Sequence, residues 1–429
     1  MCGIIGIRDF RNKISPQILS KMTDILSYRG PDDSGIYIDE KNNVGFGHRR
    51  LSILDLSSAG HQPMSDDNEN IWVTFNGEIY NFKEIRKELE NKGHRFKSNS
   101  DTEVIVKSYE EWGIEAVKKY RGMFAFAIWD KTKEKLFLVR DRAGVKPLYY
   151  YHKDNLFLFS SELKSFHQHP KFEKEINFDA LALFLQFGYI LAPHTIFQDA
   201  YKLNPGHYLE IDKNGSLKEI KYWDITDYYL EKPINKPEDE IEKELEQILI
   251  ESFNYRMVSD VPVGVFLSGG IDSSLVAALL QTNSKNSIKT FTIGFNEKEY
   301  NEAPYAKKIA RHLKTDHNEI YCTSKDALEI IPKLSEIYDE PFGDSSSIPT
   351  YLVSKFARQQ VKVALSADAG DELFCGYSRY ELLNNYYKII QKTPSFLLPP
   401  VSLGLSLFSP DIIGSVYSKF FPKQKNFKE

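Results

Sequence analysis

Apolar and polar positions follow two different rhythms along this chain. From the start to about residue 165, short β-rich runs dominate. Ile71-Trp72-Val73-Thr74-Phe75 leads into Asn76-Gly77-Glu78. Phe124 to Trp129 and Leu136 to Val139 predict two strands joined across the charged turn Asp130 to Lys135. Pro147 to Tyr151 and Leu156 to Phe159 predict a second hairpin across Lys153-Asp154-Asn155. Two helical stretches, about Phe82 to Lys92 and Thr102 to Trp112, interrupt them. Asp101 falls next to the second helix's N-terminus, where its simplest role is an N-cap.

Residues 177 to 224 read as a connecting segment with a helix at Phe178 to Phe187 and the turn Asn204-Pro205-Gly206. The charged, proline-punctuated stretch 231 to 239 reads as a linker. The rhythm then changes. Ile241, Leu245, Ile248, Leu249 and Phe253 keep helical spacing. Val263 to Leu267 is a continuous apolar run of the kind that forms a buried parallel strand. The pattern continues as helix Ser274 to Gln281, strand Thr290 to Phe295, helix Ala303 to Leu313 and strand Asn318 to Tyr321. Helices Lys325 to Tyr338 and Pro349 to Arg358 and strand Val361 to Leu365 follow. Alternation of β and α elements predicts a parallel sheet with helices on both faces. The expected organisation is a first domain over 2–165, a connecting segment and linker over 166–239, and a second domain over 240–429.

Composition adds exclusions. Apolar residues make up 41% and charged residues 27% of 429 positions, as in globular proteins. The net charge of −5 is interspersed, which excludes a nucleic-acid footprint. Three cysteines, at 2, 322 and 375, form neither a disulfide framework nor a zinc pattern, and fit a reducing cytoplasm. Arg8, Asp9 and Arg11 interrupt the first apolar run too early for a signal peptide. Phe396 to Phe408, with Pro399 and Pro400, is too short to span a bilayer.

The candidate chemistry starts at Cys2. If Met1 is trimmed, one residue carries both a thiol and an α-amine. The amine titrates near ~7.7–8.0, so it can serve the thiol as base. Gly3 and Gly6 flank the apolar run behind it. Downstream come Arg29-Gly30-Pro31-Asp32, Gly47 to Ile53, Phe75 to Asn81 and Ser100-Asp101-Thr102-Glu103. Attack on a primary carboxamide needs a nucleophile, a base and donors aimed at the developing oxyanion. An amino-acid substrate also needs an Arg for its carboxylate and an acid for its ammonium. Cys2, the α-amine, Asn76 with the Gly77 N–H, Arg50 and Asp101 offer these parts, although Asn76-Gly77 alone reads as a hairpin turn. Together the blocks resemble the class II glutamine amidotransferase domain. The resemblance implies an N-terminal-nucleophile α+β fold in four layers (αββα) and a glutamyl thioester on Cys2. It also implies glutamine held by Arg50, Leu51, Ser52, Ile53, Leu54, Asn76, Gly77, Glu78 and Asp101.

A second block, Leu267-Ser268-Gly269-Gly270-Ile271-Asp272-Ser273-Ser274, joins a strand to a helix. Glycines and a helix N-terminus suit a phosphate. The plainer alternative is a turn capped by Asp or Ser. No Lys follows the glycines as in a Walker A loop. Later come Tyr338 to Ser346 and Leu365 to Tyr377, with acids at 368, 371 and 372. The block resembles the pyrophosphate loop of ATP pyrophosphatases, which implies ATP as substrate, bound by Leu267, Ser268, Gly269, Gly270, Asp272, Ser273, Ile293, Ser366 and Ala367. It implies Mg²⁺ at Asp272 and Asp371, and Asp368 supporting formation of an adenylate.

Both domains in this order resemble glutamine-hydrolysing asparagine synthetases of the bacterial B type. The implied reaction is ATP-dependent amidation of aspartate through a β-aspartyl-adenylate. The expected partners are small molecules (glutamine, aspartate, ATP), with no nucleic acid and no membrane, and a homodimer is allowed. Two departures stand out. Ala367 and Ala369 occupy positions where the family commonly has glycine, and no block of Lys and Arg near a Met follows Tyr380. The second domain is therefore expected to be incomplete. The alternatives are amidation of another carboxylate, such as a uronic acid of a surface polysaccharide, or a glutaminase or regulatory protein whose second half is inactive.

Overall fold

The computed structural model of the chain describes residues 1–297, 299, 301–392, 394, 398 and 399. Most of Phe396 to Phe408 and all of the tail 422–429 lie outside the described residues. The chain divides into two compact units, Met1–Ser366 and a second one opening at Ala367.

The N-terminal part of the first unit contains two six-stranded antiparallel sheets. One runs in the spatial order Ala200–Lys202, Tyr149–Lys153, Leu156–Ser160, Gly3–Asp9, Val44–Arg50, Asp33–Asp39. The other runs Leu217–Lys221, His207–Ile211, Lys135–Arg140, Gly122–Asp130, Ile71–Ile79, Met64–Ser65. Strand alternation sorts their side chains into three cores. Ala125, Ala127 and Trp129 face Ile4, Val44 and Phe46 between the sheets. Phe124, Phe126 and Ile128 face away, packing with Ile85, Leu89, Val104 and Ile105 of the helices Phe82–Asn91 and Asp101–Trp112. Ile5 and Ile7 pack on the other outer face with Leu19, Met22 and Leu26 and with Leu163 and Phe166. Three cores between four layers make the αββα arrangement. Each fully buried side chain of that size contributes about 1.5–3 kcal/mol.

The strands Ala200–Lys202, His207–Ile211 and Leu217–Lys221 add edges to these sheets. The sheets thus extend well past residue 165, into the stretch read as a connection. The exposed stretch 231–237 is irregular, and a helix then covers Glu238–Arg256.

The C-terminal part of the first unit is a four-stranded parallel sheet, in the order Asp316–Cys322, Lys289–Phe295, Val263–Phe266, Val363–Leu365. Helices Ile271–Thr282, Ala303–Leu313 and Ser347–Ala357 accompany it. The long helix expected over 325–338 is broken into Ser324–Ile330, a 3₁₀ turn Ile331–Lys333 and Leu334–Ile337. Pro332 has no N–H for the helical ladder, which is where the break falls.

Among the described residues of the second unit, helices cover Gly370–Phe374 and Ser378–Lys392. Ala369 adopts φ +75°, the left-handed region, whereas Ala367 does not have a positive φ. Strain at the departure from glycine is therefore confined to Ala369.

Candidate active site

Cys2 precedes the strand Gly3–Asp9 and is half-buried. Its Sγ accepts the Leu51 N–H at 3.4 Å, and the Arg29 Nε donates to its carbonyl at 2.9 Å. Burial pushes the thiol up, against the neighbouring α-amine, the Leu51 backbone and the guanidinium groups of Arg29 and Arg50. Burial acts the other way on the Met1 α-amine and brings it down to about 5. That amine is Met1's; a self-activating nucleophile would use the amine of Cys2 itself, which is tied up in the peptide bond until Met1 is removed.

A cavity of about 280 Å³ opens beside Cys2. Arg50, Leu51, Ile53, Leu54, Asn76, Gly77, Glu78 and Asp101 all line it. Ser52 does not; it is buried, and its N–H is bound by Asp32 Oδ2 at 2.9 Å.

Asn76 and Gly77 lie inside the strand Ile71–Ile79, opposite Ala125 and Phe124. The local turn reading fails because this glycine is needed for close approach: a Cβ there would collide with the Met123 carbonyl. Asn76 is 1% exposed, and neither its side-chain nitrogen nor its side-chain oxygen has a partner. An unsatisfied buried amide is costly unless something binds it.

Asp101 does not cap its helix. Ser100 does, accepting the Thr102 N–H at 3.1 Å. Asp101 Oδ2 instead accepts the Ile79 N–H at 2.9 Å. Burial raises Asp101 to about 6, against the pull of backbone donors and Arg50. Glu78 is raised to about 7 by burial and by Asp101, with Lys146 opposing.

The buried Arg50 guanidinium donates to the carbonyls of Ser57 (3.0 Å), Leu54 (3.2 Å) and Asp55 (2.5 Å), and no ion pair to it is found among the described residues. Its charge is held in place by neutral acceptors, leaving it available to an anion in the cavity.

Sequence reading missed several lining residues. Gln62 is buried and bridges two elements, accepting the Phe75 N–H at 2.7 Å and donating to Thr102 Oγ1 at 3.1 Å. Lys146 is buried, and burial lowers its ammonium, with Glu78 opposing. Lys362, Val363 and Ala364 reach the cavity from the parallel-sheet part. Lys362 Nζ also pairs with Asp32 at 2.9 Å. Arg29 pairs with Glu162 at 2.6 Å, Glu162 with Lys164 at 3.0 Å, and Lys164 with Asp339 at 3.3 Å. Glu340 pairs with Lys202 at 2.7 Å. Asp339 and Glu340 thus engage the N-terminal part.

The second constellation forms at the C-terminal edge of the parallel sheet, where open α/β sheets bind ligands. Leu267 is buried, and Ser268 Oγ lies 2.9 Å from Ser273 Oγ. Gly269 takes φ +102° and packs close to Tyr305 and Ala306. Gly270, not Asp272 or a serine, is the N-cap of helix Ile271–Thr282, and no side chain caps it. The Ser274 hydroxyl bonds back to the Gly270 carbonyl at 2.6 Å. Ile293 lies on the adjacent strand Lys289–Phe295, and Ser366 follows Leu365, the register partner of Val265. Ala367, Asp368 and Asp371 belong to the second unit. Among the described residues, no three His, Cys, Asp or Glu side chains gather into a metal site. The donor chemistry suits Mg²⁺ only where substrate phosphates complete the shell, which is its common mode.

No described helix is long and apolar enough to cross a membrane.

Comparison with known proteins finds a family match for each half of the chain. Residues 1–223 match the glutamine amidotransferase domain family and residues 244–427 the asparagine synthase family. A Methanocaldococcus jannaschii relative bearing a glutamine-hydrolysing asparagine synthetase name is 42% identical, over 92% of this chain and 79% of its own length. Glutamine-hydrolysing asparagine synthetases 1 and 2 of Bacillus subtilis are 38% and 40% identical over 89% and 88% of this chain. The chain spans 59% and 52% of their respective lengths. The chain belongs to the glutamine-hydrolysing asparagine synthetase family.

Proposed function

We propose that the protein makes asparagine from aspartate, ATP and the amide nitrogen of glutamine. The observation that carries the glutaminase half is the pair of unsatisfied polar atoms of buried Asn76, beside the Cys2 thiol in one cavity. With Met1 removed, the Cys2 amine takes the thiol proton and the thiolate attacks the glutamine amide carbon. The Asn76 side-chain N–H and the Gly77 N–H receive the oxyanion. Arg50 takes the substrate carboxylate, and Asp101 and Glu78 the ammonium. The amine returns a proton to the leaving ammonia, and water releases glutamate from the thioester.

In the second half, the backbone N–H groups of Ser268 to Ser274 would hold the pyrophosphate of ATP. Asp272 would hold Mg²⁺ together with substrate phosphates, and that ion screens phosphate charge when bound. Asp368 would support formation of the β-aspartyl-adenylate that ammonia attacks, giving asparagine and AMP. Ammonia must travel without meeting bulk water, which would protonate it. An unpaired Cys2 nucleophile suits the reducing cytoplasm.

An acceptor screen read by AMP release, with glutamine and ATP present, tests the assignment. Aspartate should be the acceptor that releases AMP. Release with a uronic acid and none with aspartate would reassign the acceptor.

A further inference from the structure

Asp55 is a non-glycine residue in the left-handed region, at φ +51°, and it is buried. Such a conformation costs free energy and persists only where its surroundings over-determine it. Its carboxylate is held within its own domain: Oδ1 accepts the Ser57 N–H at 3.1 Å and Oδ2 the Asn99 N–H at 2.7 Å. Its carbonyl accepts from Arg50 at 2.5 Å, so the turn at Asp55 sets where the guanidinium sits.

The backbone N–H of Asp55 is held from elsewhere. It donates to Asp260 Oδ2 at 2.8 Å, across 205 positions of sequence. The Asp260 N–H donates in turn to the Ile53 carbonyl at 3.0 Å. Asp260 therefore grips this segment at two points, two residues before the left-handed residue and at that residue itself. Three positions after Asp260 begins the strand Val263–Phe266, which runs into the loop at Ser268.

We propose that Asp260 is a positioning residue for glutamine: by fixing the Asp55 turn, it holds Arg50 in the orientation that receives the substrate carboxylate. Asp260 does not line the cavity, so it acts through Arg50 and not on the substrate. The synthetase half would then set the glutamine affinity of the amidotransferase half through one carboxylate. The proposal rests on Arg50 as the carboxylate partner, so its test includes that residue.

Glutamate release should be measured on the full chain for Asp260→Ala, Asp260→Asn, Arg50→Ala and the Asp260→Ala/Arg50→Ala double variant. Asp260→Ala should raise KM for glutamine by roughly 5–10-fold while kcat stays within about twofold, the pattern of lost substrate positioning. Asp260→Asn should recover most of the loss, because its amide oxygen can accept the same N–H. In the Arg50→Ala background, Asp260→Ala should add nothing, since the two act in series. A raised KM in Arg50→Ala with none in Asp260→Ala overturns this proposal alone, as does an equal rise in both backgrounds. An unchanged KM in Arg50→Ala overturns the reading of Arg50 and the proposal with it.

Discussion

Asp101 Oδ2 accepts the N–H of Ile79, at 2.9 Å, three residues after the buried, unpartnered Asn76. This bond ties the start of the helix Asp101–Trp112 to the strand that carries Asn76 and Gly77, the proposed oxyanion donors. It holds an acid at the cavity, the proposed partner of the substrate ammonium, without using that acid as a helix cap. Arg50 is held for the other end by carbonyl oxygens alone.

Arg50→Ala and Asp101→Ala should each raise KM for glutamine. Losing a hydrogen bond to a charged group costs about 1.5–3 kcal/mol, or roughly 10–150-fold. Steady-state glutamate release checks this. Unchanged kinetics in both variants would remove these residues from the substrate site.

The pH dependence has a definite sign. Asp101, held up at about 6, must lose its proton before it can bind an ammonium group. Glu78, at about 7, shares the ammonium in this reading, so glutaminase kcat/KM should begin to fall as pH drops below about 7 and fall further through about 6, and a flat profile from pH 5 to 8 contradicts the assignment. Stability runs the opposite way at Glu78. Between its usual 4.5 and about 7, the unfolded chain gives up the proton while the folded chain keeps it, so stability falls as pH rises. Glu78→Gln should thus stabilise the protein by roughly 2–3 kcal/mol at pH 8, with little effect at pH 4. Urea unfolding at both pH values measures it.

Asn76→Ala should lower kcat for glutamate release by about 10²–10³, the usual loss of one oxyanion donor. Folding should be little affected, since the Asn76 side chain has no partner to lose. Circular dichroism melting beside the kinetics separates the two effects.

Much of this arrangement could be read from the sequence. The helices Phe178–Phe187 and Ala303–Leu313 fall where expected, because local signals mark their ends. Asn177 caps the first and left-handed Gly188 closes it, while Pro304 opens the second. Cys2, Arg50, Asn76, Gly77 and Asp101, singled out for the chemistry that an amino-acid amide needs, all line one cavity. Local rules failed at Asn76-Gly77, where a turn dipeptide lies in a strand because its neighbour approaches too closely for a Cβ. They failed at Asp101 because Ser100 is an equally good cap. Gln62, Lys146 and Lys362 were illegible: a lone Gln or Lys reads as surface, and only the fold brings these to the cavity. Asp260 is a further case, since its partner lies 205 positions away.

Asp272→Asn should remove Mg²⁺-dependent exchange of labelled pyrophosphate into ATP, measured with aspartate present, and leave glutaminase turnover largely intact. A carboxylate beside pyrophosphate repels it unless a divalent cation lies between them. Equal exchange by wild type and variant would make Asp272 a plain acid in the first turn of its helix.

The central claim is that both halves serve one reaction, and amide-labelled [¹⁵N]glutamine tests it most directly. Incubated with the protein, ATP, Mg²⁺ and aspartate, the label should appear in the side-chain amide of asparagine, with AMP and glutamate formed alongside. Cys2→Ala should abolish that transfer. Labelled ammonia and glutamate without asparagine or AMP would contradict the account and leave the chain a glutaminase alone.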